Sequence, residues 1–577
     1  MRNEYPRPQF VRDRWMSLNG TWDFFLGNQQ HAIQVPFVCQ SRLSGIGQRI
    51  REDHVVYERS FRVPGDWKDQ RIHLHFGAVN YRCRVYVNGR YVGGHTGGQT
   101  PFTLDITESL TYGEEHLRVE VENPLNDEKI ARGKQFWEPE SRFIWYTPST
   151  GIWQSVWLEP VSRTRLDRVH MTPDIDRGTV RLDYCLSEGA SLPCTLDIHI
   201  RWEEQTIFRG SLECISTEGT LTVDVFGKKA MNGAFHFTGT YWSPENPILY
   251  DVTLTLGKED EILDRVDTYF GMRKIEVREG KLFLNNKPYY QKLVLDQGYW
   301  KDSLMTAPTD GDFAEDIRKC KAMGFNGCRK HEKVEDPRYL YWADKLGFLV
   351  WGGMASFWYY TPQAAAAFQR EWMDVIQRDY NHPCVVVWGM LNESWGVHGI
   401  GSDPMKQAFA NSLYYMAKSM DTTRPVISND GWEMTPSDIC AFHSYKHGTR
   451  EDRRQQERFQ RSLKDMDLLG AIVEKPLFAD GTVYQGQPVV LSEYGGISIT
   501  EGDAGWGYTS IGKEGFLEEY RRVTEAIYDS DLICGFCYTQ LTDIEQEVNG
   551  LLTYDHQYKF DPEEIKKIQD QKPTSVC

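Results

Sequence analysis

Residues 381–393 read Asn381-His382-Pro383-Cys384-Val385-Val386-Val387-Trp388-Gly389-Met390-Leu391-Asn392-Glu393. From Cys384 to Leu391 the run is apolar without a break, and it starts directly after a proline. Such a run fits a strand buried on both faces, as in a parallel sheet. It ends abruptly in Asn392-Glu393. A carboxylate at the end of a buried strand is costly to desolvate, so stability gives little reason for it. A strand surfacing into a polar loop would explain one such glutamate. A second stretch of the same design weakens that explanation. Pro488-Val489-Val490-Leu491-Ser492-Glu493-Tyr494-Gly495-Gly496 is again an apolar strand ending in a glutamate. Two carboxylates at the ends of two buried strands are the pair that glycoside hydrolysis requires.

Outward from these stretches, strands alternate with helical patterns from about residue 274 to the end, which marks a parallel α/β fold. Eight candidate strands stand out: Tyr290–Leu295, Gly324–Arg329, Gly347–Trp351, Cys384–Leu391, Pro425–Ser428, Ile439–His443, Pro488–Leu491 and Ile533–Tyr538. Helical periodicity fills most of the gaps, as in Phe313–Met323, Pro337–Leu346, Ala364–Tyr380 and Met405–Met420. Eight strand–helix units make a (β/α)8 TIM barrel, whose chemistry lies at the C-terminal ends of its strands. Glu393 then follows the fourth strand and Glu493 the seventh. The segment Lys446–Gly486 has a charged, helical start over Arg450–Lys464. It falls between the sixth and seventh strands and is expected to cover the mouth of the barrel.

Upstream the pattern changes. Residues 1–162 read as all-β, with short alternating runs such as Arg71–Phe76 and Arg84–Val87 between Asn-Gly and Gly-Gly turns. Asn88-Gly89 is a strong hairpin signal. Glu128–Thr147 is a long strandless loop carrying Arg132, Lys134, Gln135, Trp137 and Tyr146, and long ordered loops are often functional. Residues 163–273 again give regularly spaced strands, among them Thr179–Tyr184, Thr195–Ile200 and Tyr250–Thr255. An immunoglobulin-like sandwich is the natural expectation there.

The 577 residues are too many for one core, so about three domains are expected. Apolar residues make up 40% and charged residues 25%, an ordinary soluble composition. The net charge of −17 argues against nucleic acid and anionic membranes as partners. Aromatics reach 13%, with 18 Trp. Most belong to cores, but a carbohydrate enzyme also uses them as platforms for sugar faces. Met1–Pro8 lacks the apolar core of a signal peptide. No stretch approaches the roughly 20 apolar residues of a membrane span. The 12 cysteines are scattered, many inside apolar runs, and no CxxC pairs with another. Reduced buried thiols in a cytoplasmic protein are the expectation.

The stretch Arg378–Glu393, RDYNHPCVVVWGMLNE, resembles the acid/base signature of glycoside hydrolase family 2, which holds β-galactosidases, β-glucuronidases and β-mannosidases. The resemblance extends through Leu18-Asn19-Gly20-Thr21-Trp22, Val87-Asn88-Gly89 with Gly93, Gly151-Ile152-Trp153-Gln154, Val156-Trp157-Leu158-Glu159 and Phe270-Gly271-Met272-Arg273. It implies a jelly-roll sugar-binding domain at 1–162, a sandwich at 163–273 acting as a spacer, and a catalytic barrel at 274–577. It also implies that the Glu128–Thr147 loop reaches the mouth of the barrel. Packing of that loop for interface reasons alone is the alternative.

By the same resemblance Glu393 is the acid/base, Glu493 the nucleophile and Asn392 the partner of the sugar 2-hydroxyl. The two glutamates then need opposite protonation states. The family resemblance implies retention of anomeric configuration. Arg329 matches the arginine that opens the family's R-x-S-H-Y-P motif and is expected to orient the nucleophile, with Tyr445 as a second partner. Other residues at strand ends are candidates for contact with the sugar: Asp296 and Gln297, Lys330 and His331, Asn429, Asp430 and Trp432, His443, Tyr538 and Gln540.

Departures bear on the substrate. The R-x-S-H-Y-P motif is here Arg329-Lys330-His331-Glu332-Lys333-Val334. Gly353 stands where many relatives carry a glutamate, which in some β-galactosidases belongs to a magnesium site, so neither metal nor other cofactor is expected. Tyr538 replaces a common tryptophan. The asparagine-x-lysine pair of bacterial β-glucuronidases is not found in its usual place after the eighth strand, where Asn549-Gly550-Leu551 stands. The expected activity is therefore that of a retaining exo-β-glycosidase, with a β-galactoside first. A β-glucuronide or β-galacturonide is the alternative, with Arg329, Lys330 and Lys333 as available cations. A non-catalytic carbohydrate-binding protein is disfavoured because both glutamates and Asn392 are present. Relatives are often dimers or tetramers, so a homo-oligomer is compatible with the resemblance.

Overall fold

A computed structural model describes residues 2–226, 240–499, 505, 507–571 and 573–574. The N-terminal part is a jelly-roll β sandwich. Its larger sheet has six strands in the order Gln29–Val35, Gly20–Leu26, His54–Phe61, Glu115–Glu122, Arg82–Val87 and Arg90–Thr96. Its smaller sheet has four: Met16–Ser17, Val156–Val161, Arg71–Phe76 and Phe102–Asp105. The Asn-Gly turn forms where expected. Asn88 at φ 51° and Gly89 at φ 77° join Arg82–Val87 to Arg90–Thr96. Both angles are positive, as a tight two-residue hairpin demands. The strands alternate burial, for example Gly20–Leu26, so inward Trp22, Phe24 and Leu26 build a core of their own.

The second part is an immunoglobulin-like sandwich of three- and four-stranded sheets. The first comprises Leu166–Asp174, Thr179–Leu186 and Glu218–Asp224. The second orders Gln205–Cys214, Cys194–Trp202, Tyr250–Lys258 and Glu261–Phe270. Arg12, from the N-terminal segment, ties the two parts together. It pairs with Asp264 at 2.8 Å and with Glu159 at 3.2 Å, all three side chains being buried.

All eight expected barrel strands form. They are β1 (Gln291–Asp296), β2 (Gly327–Lys330), β3 (Leu349–Gly352), β4 (Val385–Gly389), β5 (Val426–Ile427), β6 (Cys440–Ser444), β7 (Val489–Gly495) and β8 (Ile533–Thr539). They pair in parallel in the order β5-β4-β3-β2-β1-β8-β7-β6. The ring closes beyond β5, where Gly431 bridges Phe442: the Gly431 amide donates to the Ala441 carbonyl at 3.2 Å. Gly431 has φ +109°, and a Cβ there would lie 2.9 Å from the His443 ring. A glycine is what lets this segment close the barrel.

The wall consists of α1 (Asp310–Ala322), α2 (Pro337–Leu346), α3 (Pro362–Asp379), α4 (Pro404–Met420), α5 (Arg453–Ser462), α6 (Phe516–Tyr528) and α7 (Pro562–Gln569). Four of them begin with proline after an Asp or Thr cap, as at Asp336-Pro337 and Thr361-Pro362. Proline is tolerated in the first turn, and the cap side chain meets an orphan amide. Among the described residues no helix is long and apolar enough to cross a membrane.

The expectation that the whole Lys446–Gly486 segment covers the mouth is corrected. Its helix α5 lies on the barrel wall, with Phe459 buried in the barrel core. The stretch around Lys475–Leu477 does sit at the mouth, where the amides of Glu433 and Met434 donate to Pro476 and Leu477 carbonyls.

Candidate active site

Glu393 and Glu493 meet at the C-terminal end of the barrel. Oxygens of the two carboxylates and a ring nitrogen of His443 all lie within 4.8 Å of one another. Parallel pairing produces this, because β4 and β7 run the same way and both lift their last residues to one rim. The turn carrying the first glutamate is strained. Glu393 has φ +50° and Ser394 φ +63°, left-handed angles that cost about 1–3 kcal/mol each for residues other than glycine. Surrounding bonds hold it. The Glu393 amide donates to Asp430 O at 2.8 Å, the Trp395 amide to Asn392 O at 2.8 Å, and the Ser394 hydroxyl to Glu433 at 2.6 Å.

The two carboxylates have different surroundings. Glu493 accepts from Arg329 Nη1 at 2.8 Å and from the Tyr445 hydroxyl at 2.6 Å. Its side chain is 5% exposed. Glu393 accepts from His443 Nδ1 at 2.8 Å and is 18% exposed, so one of its edges faces the opening.

Arg329 uses all three guanidinium nitrogens: Nε on Asp430 at 2.6 Å, Nη1 on Glu493, and Nη2 on Asn392 Oδ1 at 2.6 Å. Burial would raise the Asp430 carboxyl, but the Arg329 guanidinium, with His443 and the Ser492 hydroxyl, holds it down at about 2. Burial would lower the His443 imidazolium, yet the Glu493 charge and the bonds to Asp430 and Glu393 raise it to about 10. His443 therefore stays cationic among three carboxylates. His331 goes the other way. Burial, then Arg329 and Lys134, pushes it well below the usual range, so its ring is neutral.

The other candidates divide. His331 Nδ1 bonds Gln297 at 2.9 Å, Gln297 donates to Gln540 at 3.0 Å, and His331 Nε2 stands 3.6 Å from Glu493. Trp432 sets its ring edge-on to His443, 5.8 Å between centroids. Tyr445 stacks on Tyr508. Asp296 and Lys330 instead pair with each other at 2.5 Å, and Lys330 also donates to Glu335 at 2.9 Å. Lys333 is buried against Gly298 O, Met305 O and Glu335. Asn429 braces the Ser394 turn, accepting from its amide at 3.0 Å. Tyr538 is not brought to the site. Its ring points outward from β8 toward Tyr494 and Tyr520, and its neighbour Cys537 is the one beside Arg329 and Glu493.

Sequence reasoning left the roles of Asp430 and Ser492 unassigned, although Asp430 was on the rim. It also named the N-terminal loop without its contacts. Tyr146 donates to Glu547 at 2.6 Å, and Lys134 stands 3.8 Å from the same carboxylate. The amides of Arg132 and Gly133 both donate to Ser356 O at 3.0 Å. The loop therefore lines one side of the barrel mouth. Among the described residues, Asn392 Nδ2, Trp432 Nε1, Gln540 Nε2 and Asn549 Oδ1 at this end are buried without a hydrogen-bond partner; so are His331 Nε2, His443 Nε2 and Asp430 Oδ2, which face charged groups instead.

Two β sandwiches ahead of a barrel with glutamates on its fourth and seventh strands define a class of carbohydrate-active folds. Residues 275–571 match the TIM barrel domain of glycosyl hydrolases family 2, residues 46–158 its sugar binding domain, and residues 164–273 the family's remaining domain. The chain belongs to glycosyl hydrolase family 2. It is 27% identical to a β-galactosidase of Thermoanaerobacter pseudethanolicus over 387 residues, 64% of this chain and 47% of that protein. It is 26% identical to a putative β-glucuronidase of Formosa agariphila over 390 residues, 64% of this chain and 43% of that protein. The matched regions thus span about half the length of these curated relatives. Among solved structures, a β-D-glucuronidase of Dictyoglomus thermophilum superposes with TM-score 0.79 at 19% identity, covering 99% of both chains. A family 2 β-galacturonidase of Eisenbergiella tayi superposes with TM-score 0.75 at 18% identity, covering 98% of both chains.

Proposed function

We propose that the chain is a retaining exo-β-glycosidase in which Glu393 is the acid/base and Glu493 the nucleophile. The carrying observation is the closeness of the two carboxylates, within 4.8 Å at their nearest. Retaining enzymes hold the pair about 5 Å apart for covalent attack, whereas inverting enzymes leave room for a water. Glu493, gripped by Arg329 and Tyr445, is fixed for in-line attack on the anomeric carbon. Glu393, open on one edge, protonates the departing oxygen and then takes a proton from the incoming water. Asn392, with Nδ2 unpartnered and Oδ1 held by Arg329, is oriented to donate to the sugar 2-hydroxyl. Sugar hydroxyls would satisfy the other unpartnered rim atoms as well.

The leading substrate is a β-galactoside, in line with several relatives that are named β-galactosidases. Lys330 and Lys333, the cations a uronide would need, are already paired inside the barrel. One observation favours a β-glucuronide or β-galacturonide as the second reading. Among the described residues the carboxylate nearest to Lys134 Nζ is Glu547, at 3.8 Å, and the solved structures just described are of a β-D-glucuronidase and a β-galacturonidase. A nitrophenyl glycoside panel separates the two.

The mechanism has its own test. With a dinitrophenyl substrate, departure needs little protonation, so Glu393→Gln should give a burst of dinitrophenol and then a slow steady rate. Azide should restore its turnover and yield a β-glycosyl azide. Glu493→Gln should be inactive on every substrate. A β-azide from Glu493→Gln together with an α-azide from Glu393→Gln would reverse the two roles, and an α-azide from Glu393→Gln without a β-azide from Glu493→Gln would mean inversion.

A further inference from the structure

Beside the catalytic pair stands a wall of indole rings that the chemistry above does not use. Trp395 follows Glu393 by two residues and is fixed to the same turn through its amide bond to Asn392 O, 2.8 Å. Its ring lies 6.3 Å from His331, which in turn is 3.6 Å from Glu493. From there the rings continue outward. Trp145 is 4.8 Å from Trp395, and Trp137 and Trp358 are 4.7 Å and 5.4 Å from Trp145. Phe143 and Tyr359, close in sequence to Trp145 and Trp358, are 61% and 59% exposed, while Trp395 at the inner end is 7% exposed.

Two parts of the chain build this wall. Trp137, Phe143 and Trp145 come from the N-terminal loop, and Trp358, Tyr359 and Trp395 from the barrel. The amides of Trp358 and Tyr359 both donate to Glu128 O at 2.8 Å, and Gln546 holds the carbonyls of Phe143 and Trp145. A cluster serving stability alone would hide its rings. Here Trp137, Trp145 and Trp358 are half-buried and the two outer rings are open. An open aromatic patch continuous with a catalytic site marks a place for a ligand.

The position of the wall says which part of a substrate it meets. The unpartnered polar atoms of Asn392, Trp432, Gln540 and Asn549 suit the hydroxyls of the sugar. The wall starts at the turn that carries Glu393, the group on the side of the leaving oxygen. Whatever is attached to that oxygen continues past Trp395.

On the footing of the glycosidase reading above, we propose that Trp145, Trp358 and Trp395 form a binding site for a flat aromatic aglycone. The preferred substrates are then glycosides of aromatic alcohols or phenols rather than of small aliphatic alcohols or of a second sugar.

The test compares benzyl, cyclohexylmethyl and methyl β-glycosides of the sugar found by the nitrophenyl panel. All three release primary alcohols that need protonation to depart, so their differences report binding of the aglycone. The wild-type protein should process the benzyl glycoside with kcat/KM at least about tenfold above the methyl one, with cyclohexylmethyl between them. Trp145→Ala and Trp358→Ala, made separately, should each cut the benzyl-to-methyl ratio by about three- to tenfold. A ratio near one in the wild type would overturn the proposal. So would variants that slow both substrates alike and leave the ratio intact, since that is what damage to the loop would do. Either result, with dinitrophenyl glycoside still hydrolysed, would leave the glycosidase reading standing. Absence of hydrolysis of every glycoside would overturn both.

Discussion

Glu493, the proposed nucleophile, shows what a single carboxylate needs to be held in place for attack. Its two oxygens are each held by one donor, Arg329 at 2.8 Å and Tyr445 at 2.6 Å. A bond to a charged acceptor contributes about 1.5–3 kcal/mol. Tyr445→Phe removes one such bond and keeps the ring that stacks on Tyr508. We predict that kcat/KM for a dinitrophenyl glycoside falls about 10- to 100-fold in this variant, with the melting temperature little changed. An unchanged rate would show that Arg329 alone orients the carboxylate. The glutamates themselves were legible in the sequence because an apolar run that stops at a carboxylate has few structural explanations. The partners of polar rim residues were not. Lys330 looks like a pocket cation by position, yet Glu335, five residues on, pairs with it and with Lys333. Gly353 has a steric reason for being glycine that no pattern discloses. A Cβ there would lie 2.5 Å from the Lys330 carbonyl oxygen.

Helix α3 carries an element-scale conflict at its contact with the N-terminal sandwich. Glu371 is buried against Gly97 and accepts the Gln99 amide at 3.1 Å. Burial pushes its carboxyl from 4.5 up to about 8, against the pull of that amide. The folded value lies above the unfolded one. The proton's contribution to stability is therefore full below pH 4.5 and is lost as pH rises through about 8. Glu371→Gln keeps the acceptor and the shape without a charge. We predict a higher apparent melting temperature than wild type at pH 9 and no difference near pH 4.5, read by scanning fluorimetry across the range. Equal melting temperatures at pH 9 would mean that the carboxylate is solvated in place. At this scale the barrel strands were legible because each is a short apolar run closed by a turn. The face of each residue was not. Ile533–Tyr538 is apolar on both sides, so no alternation told Cys537, facing Arg329, from Tyr538, facing Tyr520. The wall position of α5 was hidden for a related reason. Its sequence RRQQERFQRS shows one apolar residue, Phe459, whose ring is buried in the core, with Ser462 as the helix's other buried residue.

Across the whole molecule, the barrel supplies the two glutamates proposed as the catalytic pair, and the N-terminal sandwich supplies one side of the opening. The joint between them is Gly133. Its φ of +59° belongs to the left-handed region, and a Cβ there would stand 2.1 Å from the Glu332 carbonyl oxygen and 3.2 Å from Ala355. The obstructing atom is backbone, so the loop rather than a side chain would have to yield. Alanine at this place also adds about 1–2 kcal/mol of backbone strain. The loop's other holds would be drawn off with it: the Arg132 and Gly133 amides on Ser356 O, Tyr146 on Glu547, and Thr147 on Glu545. Neither glutamate depends on these contacts, since Arg329, Tyr445 and His443 all come from the barrel. We therefore predict that Gly133→Ala folds with an unaltered far-ultraviolet circular dichroism spectrum while kcat/KM drops at least about tenfold, mostly through KM. The change should be larger for a bulky aryl glycoside than for a methyl one, because the displaced loop carries Trp137 and Trp145. A variant with wild-type kinetics would mean that the loop tolerates displacement and that the barrel alone forms the working site.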